Sequence, residues 1–341
     1  MKFGIMDHLD ASGLATADQY GMRLDLLEAA DRLGFYSYHV AEHHGTPLGL
    51  APSPNVYLSA VAQRTKRLKL GPMVYVAALY HPMRLAEEAC MLDQLSHGRL
   101  QLGIGRGAVW PEQALYDIDP ATVPERYAEA RDILLQALTS ERVSFKGKYF
   151  RVEDFPMVLR PYQKPRPPLW YGIGSPGTAV WAVKNRVNLM SNLPSAGVRE
   201  LRDAFHAEWA KSGSDPAERP LFGSTKFTVV ADTDAEAERL ARSAYAMYGE
   251  RTQHLARMYG TRKRREWFDD FDQARAAGLI AAGSPTTVRD YLADFIEVSG
   301  IDYLAVRVAF GDLTLEQSRH SFDLLTERVF GDLAGLVPAT R

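Results

Sequence analysis

The sequence is poor in cysteine, in net charge and in long apolar runs. Its one cysteine, Cys90, cannot form an internal disulfide, which is typical of chains kept in a reducing cytoplasm. A formal net charge of −2 offers no strong field for nucleic acid or an anionic membrane, so neither is expected as a partner. No apolar run approaches the ~18 residues that span a bilayer, and the opening KFGIM is typical of a strand rather than a secretion signal. We therefore expect a soluble, cytoplasmic protein.

Short apolar runs alternate with helical patterns from one end of the chain to the other. Eight strands, each followed by a helix, predict a parallel (β/α)8 barrel, with residues 1–341 as a single domain. A doubly wound sheet is the alternative, but it usually has fewer repeats and an earlier glycine fingerprint. The expected strands cover residues 2–6, 35–40, 67–76, 99–105, 168–174, 187–192, 221–231 and 303–308.

Two segments interrupt this repeat. Residues 140–167 contain VSFKGKYFRV, which predicts a hairpin that turns at Lys146-Gly147. Residues 249–284 contain TRKRREWFDDFDQARAAG, which has no strand signal. Insertions in barrels usually lie in βα loops on the catalytic face, so we expect both there. The second one, with Trp267, Phe268 and Phe271, is either a lid over the site or a packing insert.

The sequence AEHHG, residues 41–45, follows the second predicted strand and combines an acid with two histidines. Strand alternation turns His43 and His44 to opposite faces, so they cannot easily share a metal ion. No HxH or HExxH spacing is present either, and no metal site is expected. Catalytic groups of a barrel lie where its strands end. His43 is therefore a candidate catalytic residue, with a hydrogen-bonded structural histidine as the alternative.

Two glycine-rich loops follow the fourth and fifth predicted strands. In GIGRG, residues 103–107, the glycines let a ligand approach the backbone, and Arg106 offers donors for phosphate. A solvated arginine in a tight turn is the alternative. GIGSPGT, residues 172–178, matches G-x-G-x-x-G but lacks the acid expected ~20 positions later in dinucleotide sites. Ser175 is expected to cap the next helix, whose free N–H groups would bind an anion, or to cap it without a ligand.

Four stretches, in order and over nearly the whole chain, resemble the bacterial luciferase-like flavin-dependent monooxygenases. They are AEHH, YHPMRLAEEACMLDQLSHGRLQLGIGRG, PPLWYGIGSPGTAVWA and GSPTTVRDYLADFIEVSGIDYLAVRVAFG. The resemblance implies a (β/α)8 barrel that binds flavin at the carboxyl ends of its strands. It also implies a homodimer.

The resemblance assigns roles to particular residues. His43 corresponds to the active-site histidine near the flavin ring, and a non-prolyl cis peptide that supports the ring is expected at Met73-Val74. Arg106 and, with looser spacing, Arg126 correspond to arginines that contact the flavin phosphate. The remaining residues expected at the phosphate are Gly174, Ser175 and Thr178.

The function implied by the resemblance is that of a monooxygenase using reduced FMN, supplied by a separate flavin reductase, together with O2. Such an enzyme oxygenates a small organic substrate through a C4a-peroxyflavin. Apolar residues near the strand ends suggest a hydrophobic substrate, although core packing would also explain them; they are Tyr75, Leu79, Tyr80 and Trp110. The alternatives are a deazaflavin-dependent hydride-transfer oxidoreductase and a non-catalytic flavin-binding subunit.

The chain departs from the luciferase α subunit at two positions. Gly105 stands where that subunit has a cysteine beside the flavin, and Gly174 replaces an acidic residue beside the phosphate. These departures argue against light emission and leave the substrate open.

Overall fold

The computed structural model describes residues 1–107, 109–260 and 270–336. Within these ranges the chain forms twelve strands and thirteen α-helices. The strands are β1 (Lys2–Asp7), β2 (Ser37–Val40), β3 (Lys69–Pro72), β4 (Tyr75–Val76), β5 (Leu102–Gly105), β6 (Arg142–Lys146), β7 (Arg151–Pro156), β8 (Leu169–Gly172), β9 (Asn188–Ser191), β10 (Phe222–Val230), β11 (Ile280–Gly283) and β12 (Tyr303–Arg307). The helices are α1 (Thr16–Leu33), α2 (Pro54–Arg64), α3 (Pro82–Leu95), α4 (Trp110–Ala114), α5 (Val123–Thr139), α6 (Thr178–Lys184), α7 (Ser195–Lys211), α8 (Asp234–Thr252), α9 (His254–Met258), α10 (Phe271–Ala276), α11 (Pro285–Ser299), α12 (Leu315–Arg328) and α13 (Phe330–Leu333).

Eight strand positions form a ring of parallel strands. Around the ring the strands follow the order β3, β2, β1, β12, β10, β9, β8 and β5, and each pairs in parallel with the next. The ring closes where Leu70 of β3 pairs with Leu100, just before β5, and accepts a hydrogen bond from the Gln101 N–H at 2.8 Å. The predicted (β/α)8 barrel is confirmed.

The predicted third strand, residues 67–76, is divided into β3 and β4. A cis peptide bond joins Met73 to Val74 between them. The chain changes neighbours at this point, because β3 pairs with β2 whereas β4 pairs with β5.

Most of the apolar core lies between the barrel and the helices around it. Leu58 of α2, Leu134 of α5 and Leu292 of α11 are fully buried and belong to one cluster with Leu70 and Val306 of the sheet. Each such side chain stabilises the fold by about 1.5–3 kcal/mol relative to an exposed one. This layer holds the strands in place, so their carboxyl ends form a fixed frame for a site.

Aromatic and polar side chains fill the amino-terminal half of the barrel interior. Trp170 is fully buried, donates its Nε1–H to Gln101 Oε1 at 2.8 Å, and meets the rings of His39 and Tyr303 edge-on. Ser37 Oγ lies 3.0 Å from His39 Nε2 and 2.9 Å from the Tyr303 hydroxyl. These packed rings close the barrel below its carboxyl-terminal mouth.

The buried His39 makes the free energy of unfolding depend on pH. Burial lowers the pKa of His39 to about 3, from an ordinary value of 6.5. Between these values the unfolded chain binds a proton that the folded chain does not, so the free energy of unfolding should fall as pH drops from 6.5 towards 3. Urea unfolding of His39→Gln over this range should lack that contribution and show a shallower acid decline than the wild type. His320→Gln, at an exposed position, is the control; an equal change in both variants would contradict the assignment.

The hairpin predicted within residues 140–167 is present but lies elsewhere than expected. Strands β6 and β7 pair antiparallel across a turn at residues 147–150. They connect α5 to β8, so the insertion starts at the amino-terminal end of the barrel and not in a βα loop. The hairpin then runs back along α5, where the N–H groups of Lys148, Tyr149 and Phe150 donate to the Glu129 carboxylate.

The second insertion is longer than expected and contains a strand. The eight predicted strands do not include β11, which lies at the end of this segment and pairs in parallel with Phe227–Val230 of β10. Helix α8, predicted as the barrel helix after the seventh strand, packs on β10 and β11, whereas α11 lies between α7 and α12 in the outer ring. An amphipathic helix directly after a strand has the same sequence pattern whether it belongs to the outer ring, as α11 does, or to the insertion, as α8 does. We call residues 231–284 the β10–α11 insertion.

Two of the residues named for the possible lid, Trp267 and Phe268, lie outside the described residues. Phe271 is described: it is buried, meets Tyr245 of α8 edge-on, and lies under the Arg242 guanidinium at 4.4 Å. Phe271 therefore packs within the β10–α11 insertion.

In the three described ranges, no helix is both long and apolar enough to cross a lipid bilayer.

Candidate functional site

A cavity of about 360 Å3 opens at the carboxyl ends of the barrel strands. Its walls come from all eight ring strands and the loops after them, and the mouth of a barrel is where such enzymes hold their ligands. The lining residues are Met6, His8, Ala41, Glu42, His43, Met73, Val74, Val76, Gly107, Val109, Glu112, Gly172, Ile173, Gly174, Met190, Asn192, Thr225 and Arg307.

His43 lies in this wall and is paired with a carboxylate. Its Nδ1 is 2.8 Å from Glu112 Oε1, with 15% of the His43 side chain and 4% of the Glu112 side chain exposed. The ring of His8 stacks on His43 at 5.4 Å between centroids. The carboxylate favours a proton on Nδ1, which leaves Nε2 as the nitrogen able to exchange a proton with a ligand. Sequence reasoning missed Glu112, which lies 69 residues from its partner.

Glu42 and His44 form a separate network, as strand alternation predicts. Glu42 Oε1 lies 2.9 Å from His44 Nε2, and the Tyr116 hydroxyl lies 2.8 Å from His44 Nδ1. The other Glu42 oxygen accepts from the Val76 N–H and the Tyr80 hydroxyl. This carboxylate therefore fixes the backbone of β4, directly after the cis peptide.

The cis peptide between Met73 and Val74 occurs where it is expected, and both residues line the cavity. The Val74 side chain lies against Gly105 of β5, at the place that a Cβ on residue 105 would occupy. Glycine at this position thus lets the Val74 side chain form the wall of the site.

The expected phosphate residues lie on adjacent loops. Gly103 of β5 pairs with Trp170 of β8, so the loops that carry Arg106 and Gly174 leave the barrel side by side. Gly174 lines the cavity, and a Cβ added there would meet no atom within 4 Å. The side chain of Arg106 is exposed on the neighbouring loop. Together these loops form an open edge of the cavity beside the positively charged side chain of Arg106.

The expectation that Ser175 caps the next helix is wrong. Helix α6 begins at Thr178 with Gly177 as its N-cap. The N–H groups of Thr178 and Ala179 bond to the carbonyls of Ser175 and Pro176, at 3.3 and 3.0 Å. Residues 175–177 therefore form a turn before the helix, with Ser175 exposed on it.

Arg126 is outside the set of residues that line the cavity. Its Nε donates to the Ala78 carbonyl at 2.9 Å, and its guanidinium lies 4.7 Å from the centroid of the Phe150 ring, at the tip of the β6–β7 hairpin. In this structure Arg126 joins α5 to the hairpin.

Of the four apolar residues predicted from the strand ends, Tyr75, Leu79 and Tyr80 do not line the cavity either. Tyr75 is fully buried and donates to Asn55, and the Tyr80 hydroxyl binds Glu42. Leu79 packs against the core cluster, and the side chain of Trp110 is outside the described residues. The apolar wall consists instead of Met6, Ala41, Met73, Val74, Val76, Val109, Ile173 and Met190.

A cationic group that sequence reasoning missed lies on the opposite side of the mouth. Arg307, at the end of β12, is 8% exposed and lines the cavity with Thr225. Its Nη1 donates to the Tyr248 hydroxyl of α8 at 3.2 Å, and that hydroxyl is 3.4 Å from His8 Nε2. Within the described part of the chain, no three His, Cys, Asp or Glu side chains converge as metal ligands.

Comparisons with known proteins place the chain among monooxygenases. The family model described as luciferase-like monooxygenase matches residues 1–303. The uncharacterized protein y4wF of Sinorhizobium fredii is 42% identical, over 94% of this chain and 94% of its own length. The oxygenase component of the flavin-dependent trigonelline monooxygenase of Acinetobacter baylyi is 29% identical, over 73% of this chain and 70% of its own length.

Two further similarities concern the cofactor of each relative. The oxygenating constituent of 3,6-diketocamphane monooxygenase from Pseudomonas putida, a complex with FMN, has the same fold, with a TM-score of 0.79 over 99% of each chain at 21% identity. An F420-dependent glucose-6-phosphate dehydrogenase of Amycolatopsis mediterranei is 33% identical over 49% of this chain and 53% of its own length. The chain belongs to the luciferase-like monooxygenase family.

Proposed function

We propose that the protein is the oxygenase component of a two-component monooxygenase, which binds reduced FMN and O2 and oxygenates a small organic molecule. The observation that carries this proposal is the His43–Glu112 pair, which lies in the wall of an otherwise largely apolar cavity. Membership of the luciferase-like monooxygenase family supports the proposal. So does the similarity to the oxygenase component of the trigonelline monooxygenase. Such a component needs a separate flavin reductase as its source of reduced FMN.

The residues of the cavity fit a flavin mononucleotide. The backbone at Met73 and Val74 offers a wall for a flat ring, and Gly172 and Gly174 leave open space at the edge. Arg106, with the hydroxyls of Ser175 and Thr178, would hold the phosphate beyond that edge.

Reduced FMN, when bound, supplies the electrons that activate O2. The apolar wall excludes water from the reacting atoms, which protects oxygen chemistry from unproductive decay. His43 would hold or donate a proton at its Nε2, towards an oxygen of the ligand. Glu112 positions the imidazole through its contact with Nδ1.

The test uses a pair of ligands that differ only in the phosphate. Arg106→Ala should weaken anaerobic binding of reduced FMN by about 10-fold or more, because a charge-assisted hydrogen bond is lost. Riboflavin, which lacks the phosphate, should bind this variant and the wild type equally. Fluorescence titration measures both affinities, with Arg126→Ala as the control arginine. Failure of the wild type to bind FMN in either redox state would contradict the proposal.

Deazaflavin-dependent hydride transfer is the second candidate, because of the similarity to an F420-dependent dehydrogenase. The same titration with the deazaflavin decides between them. Preferential binding of deazaflavin, with air oxidising reduced FMN at the same rate with and without the protein, would favour the dehydrogenase.

A further inference from the structure

Arg307 differs from the other buried arginines of the described chain. Among them, Arg23 pairs with Asp7 at 3.0 Å, Arg251 with Asp10 at 2.6 Å and Arg202 with Asp203 at 3.1 Å. Arg307 has no carboxylate within 4 Å among the residues that the structure describes, and it is the one that lines the cavity.

The groups around Arg307 are neutral or positively charged. Its Nη1 and Nη2 donate to the hydroxyls of Tyr248 and Thr225, at 3.2 and 3.4 Å, and its guanidinium lies 4.6 Å from the Phe227 ring centroid. Its buried Nε has no hydrogen-bond partner in the structure. Lys226 is next to Phe227 on β10; burial and the charge of Arg307 lower the pKa of Lys226 to about 7. The region thus has positive charge and no counter-charge of its own.

A buried cation without a counter-ion is costly, because desolvation is not repaid by a partner. The two carboxylates in the same wall bind histidines instead: Glu112 binds His43 and Glu42 binds His44. Stability alone therefore gives no reason for an arginine at this position. A ligand anion would supply the missing charge and occupy the free Nε.

We propose that the substrate carries an anionic oxygen group, a carboxylate or an enolate, which binds Arg307 within the cavity. This inference rests on the proposed function and specifies its substrate class. Tyr248 connects Arg307 to His8, and His8 stacks on His43, so an anion held by Arg307 keeps the rest of the molecule near His43. The apolar body of the substrate would lie towards Met190.

The reduced flavin ring is a second source of anionic oxygen, but its expected place is elsewhere. In the ring of strands, β1 and β2 separate β12 from β3, and β10 and β9 separate it from β8. Arg307 therefore lies across the mouth from Met73-Val74 and from the loops with Arg106 and Gly174. This position favours the substrate.

The experiment measures binding to flavin-free protein with matched probes. Benzoate, cyclohexanecarboxylate and hexanoate are each compared with their amides by calorimetry. We expect at least one carboxylate to bind wild type about 10-fold more tightly than its amide. Arg307→Met should abolish that preference and Arg307→Lys should keep part of it, whereas Arg106→Ala should keep all of it. Equal binding of all acids and amides to the wild type, or an unchanged preference in Arg307→Met, would overturn the proposal.

Two further measurements separate this inference from its alternatives. Arg307→Met should bind reduced FMN within about 3-fold of wild type; a larger loss of FMN affinity, with the carboxylate preference intact, would assign Arg307 to the cofactor. Ligand-free Arg307→Met should be as stable as wild type or more stable. Marked destabilisation would make Arg307 a structural residue. Because the carboxylate titration uses neither flavin nor O2, its failure leaves the oxygenase proposal standing. Failure of the FMN titration alone would leave an anion site at Arg307 whose ligand is not a monooxygenase substrate.

Discussion

His43→Ala should lower turnover by about 10²- to 10⁴-fold, the usual contribution of a general acid or base. The affinity for reduced FMN should change little, because the groups expected to hold the flavin are the Met73-Val74 backbone and the loops with Arg106 and Gly174. Single-turnover assays with saturating reduced FMN, O2 and a substrate found in the carboxylate series would measure the effect.

Rescue by a small molecule provides the control for His43→Ala. The truncated side chain leaves space at the wall of the cavity, so added imidazole should restore part of the lost turnover. Wild-type turnover in the variant would remove His43 from the mechanism. An equal loss of FMN binding and turnover would instead give it a structural role.

The second large effect is expected at Glu112, which acts through His43. Glu112→Ala should lower turnover by about 10- to 100-fold, the range seen when a residue that orients a functional histidine is lost. Glu112→Gln, which keeps a hydrogen-bond acceptor at Oε1, should retain more activity. The reduction should lie in kcat, with the Kd for reduced FMN near the wild-type value.

A double-mutant cycle distinguishes positioning from a general structural effect. If Glu112 works only through His43, then Glu112→Ala adds almost no further loss in the His43→Ala background. Additive losses would show that Glu112 has a role of its own, for instance in holding α4 against the barrel.

Features set by local sequence could be predicted. The strand and helix periods are local, and the order of eight such units is sufficient for the barrel. The position of His43 at a strand end follows from alternation along β2, and the separate partners of His43 and His44 follow from the same rule. The cis peptide at Met73-Val74 was found through the family resemblance, since neither residue has a backbone preference that would reveal it.

Features that depend on packing across the barrel could not be predicted. Glu112 and His43 meet because the loops after β5 and β2, which β3 separates in the ring, fold over one mouth, and no sequence spacing encodes that approach. Only the folded structure shows that Arg307 has no carboxylate partner, because in the sequence VRVAFGD an acid follows within a few residues. Helix α8 matches the local pattern of a barrel helix, and only the three-dimensional packing shows that α11 is the one that lies between α7 and α12. Ser175 has the right chemistry for a cap, but the backbone turns for two more residues before α6 begins.

The Tyr248 hydroxyl, which lies between Arg307 and His8, belongs to α8 and thus to the β10–α11 insertion. The barrel therefore supplies Arg307 at the cationic end of the cavity, and the insertion supplies its hydrogen-bond partner Tyr248. The side where we propose that the flavin binds is built from the loops after β3, β5 and β8, which follow paired strands of the ring. Changes in α8 can alter the group that meets the substrate and leave those loops untouched. On the proposed function, remodelling this one helix would change the substrate and leave the oxygen chemistry unchanged.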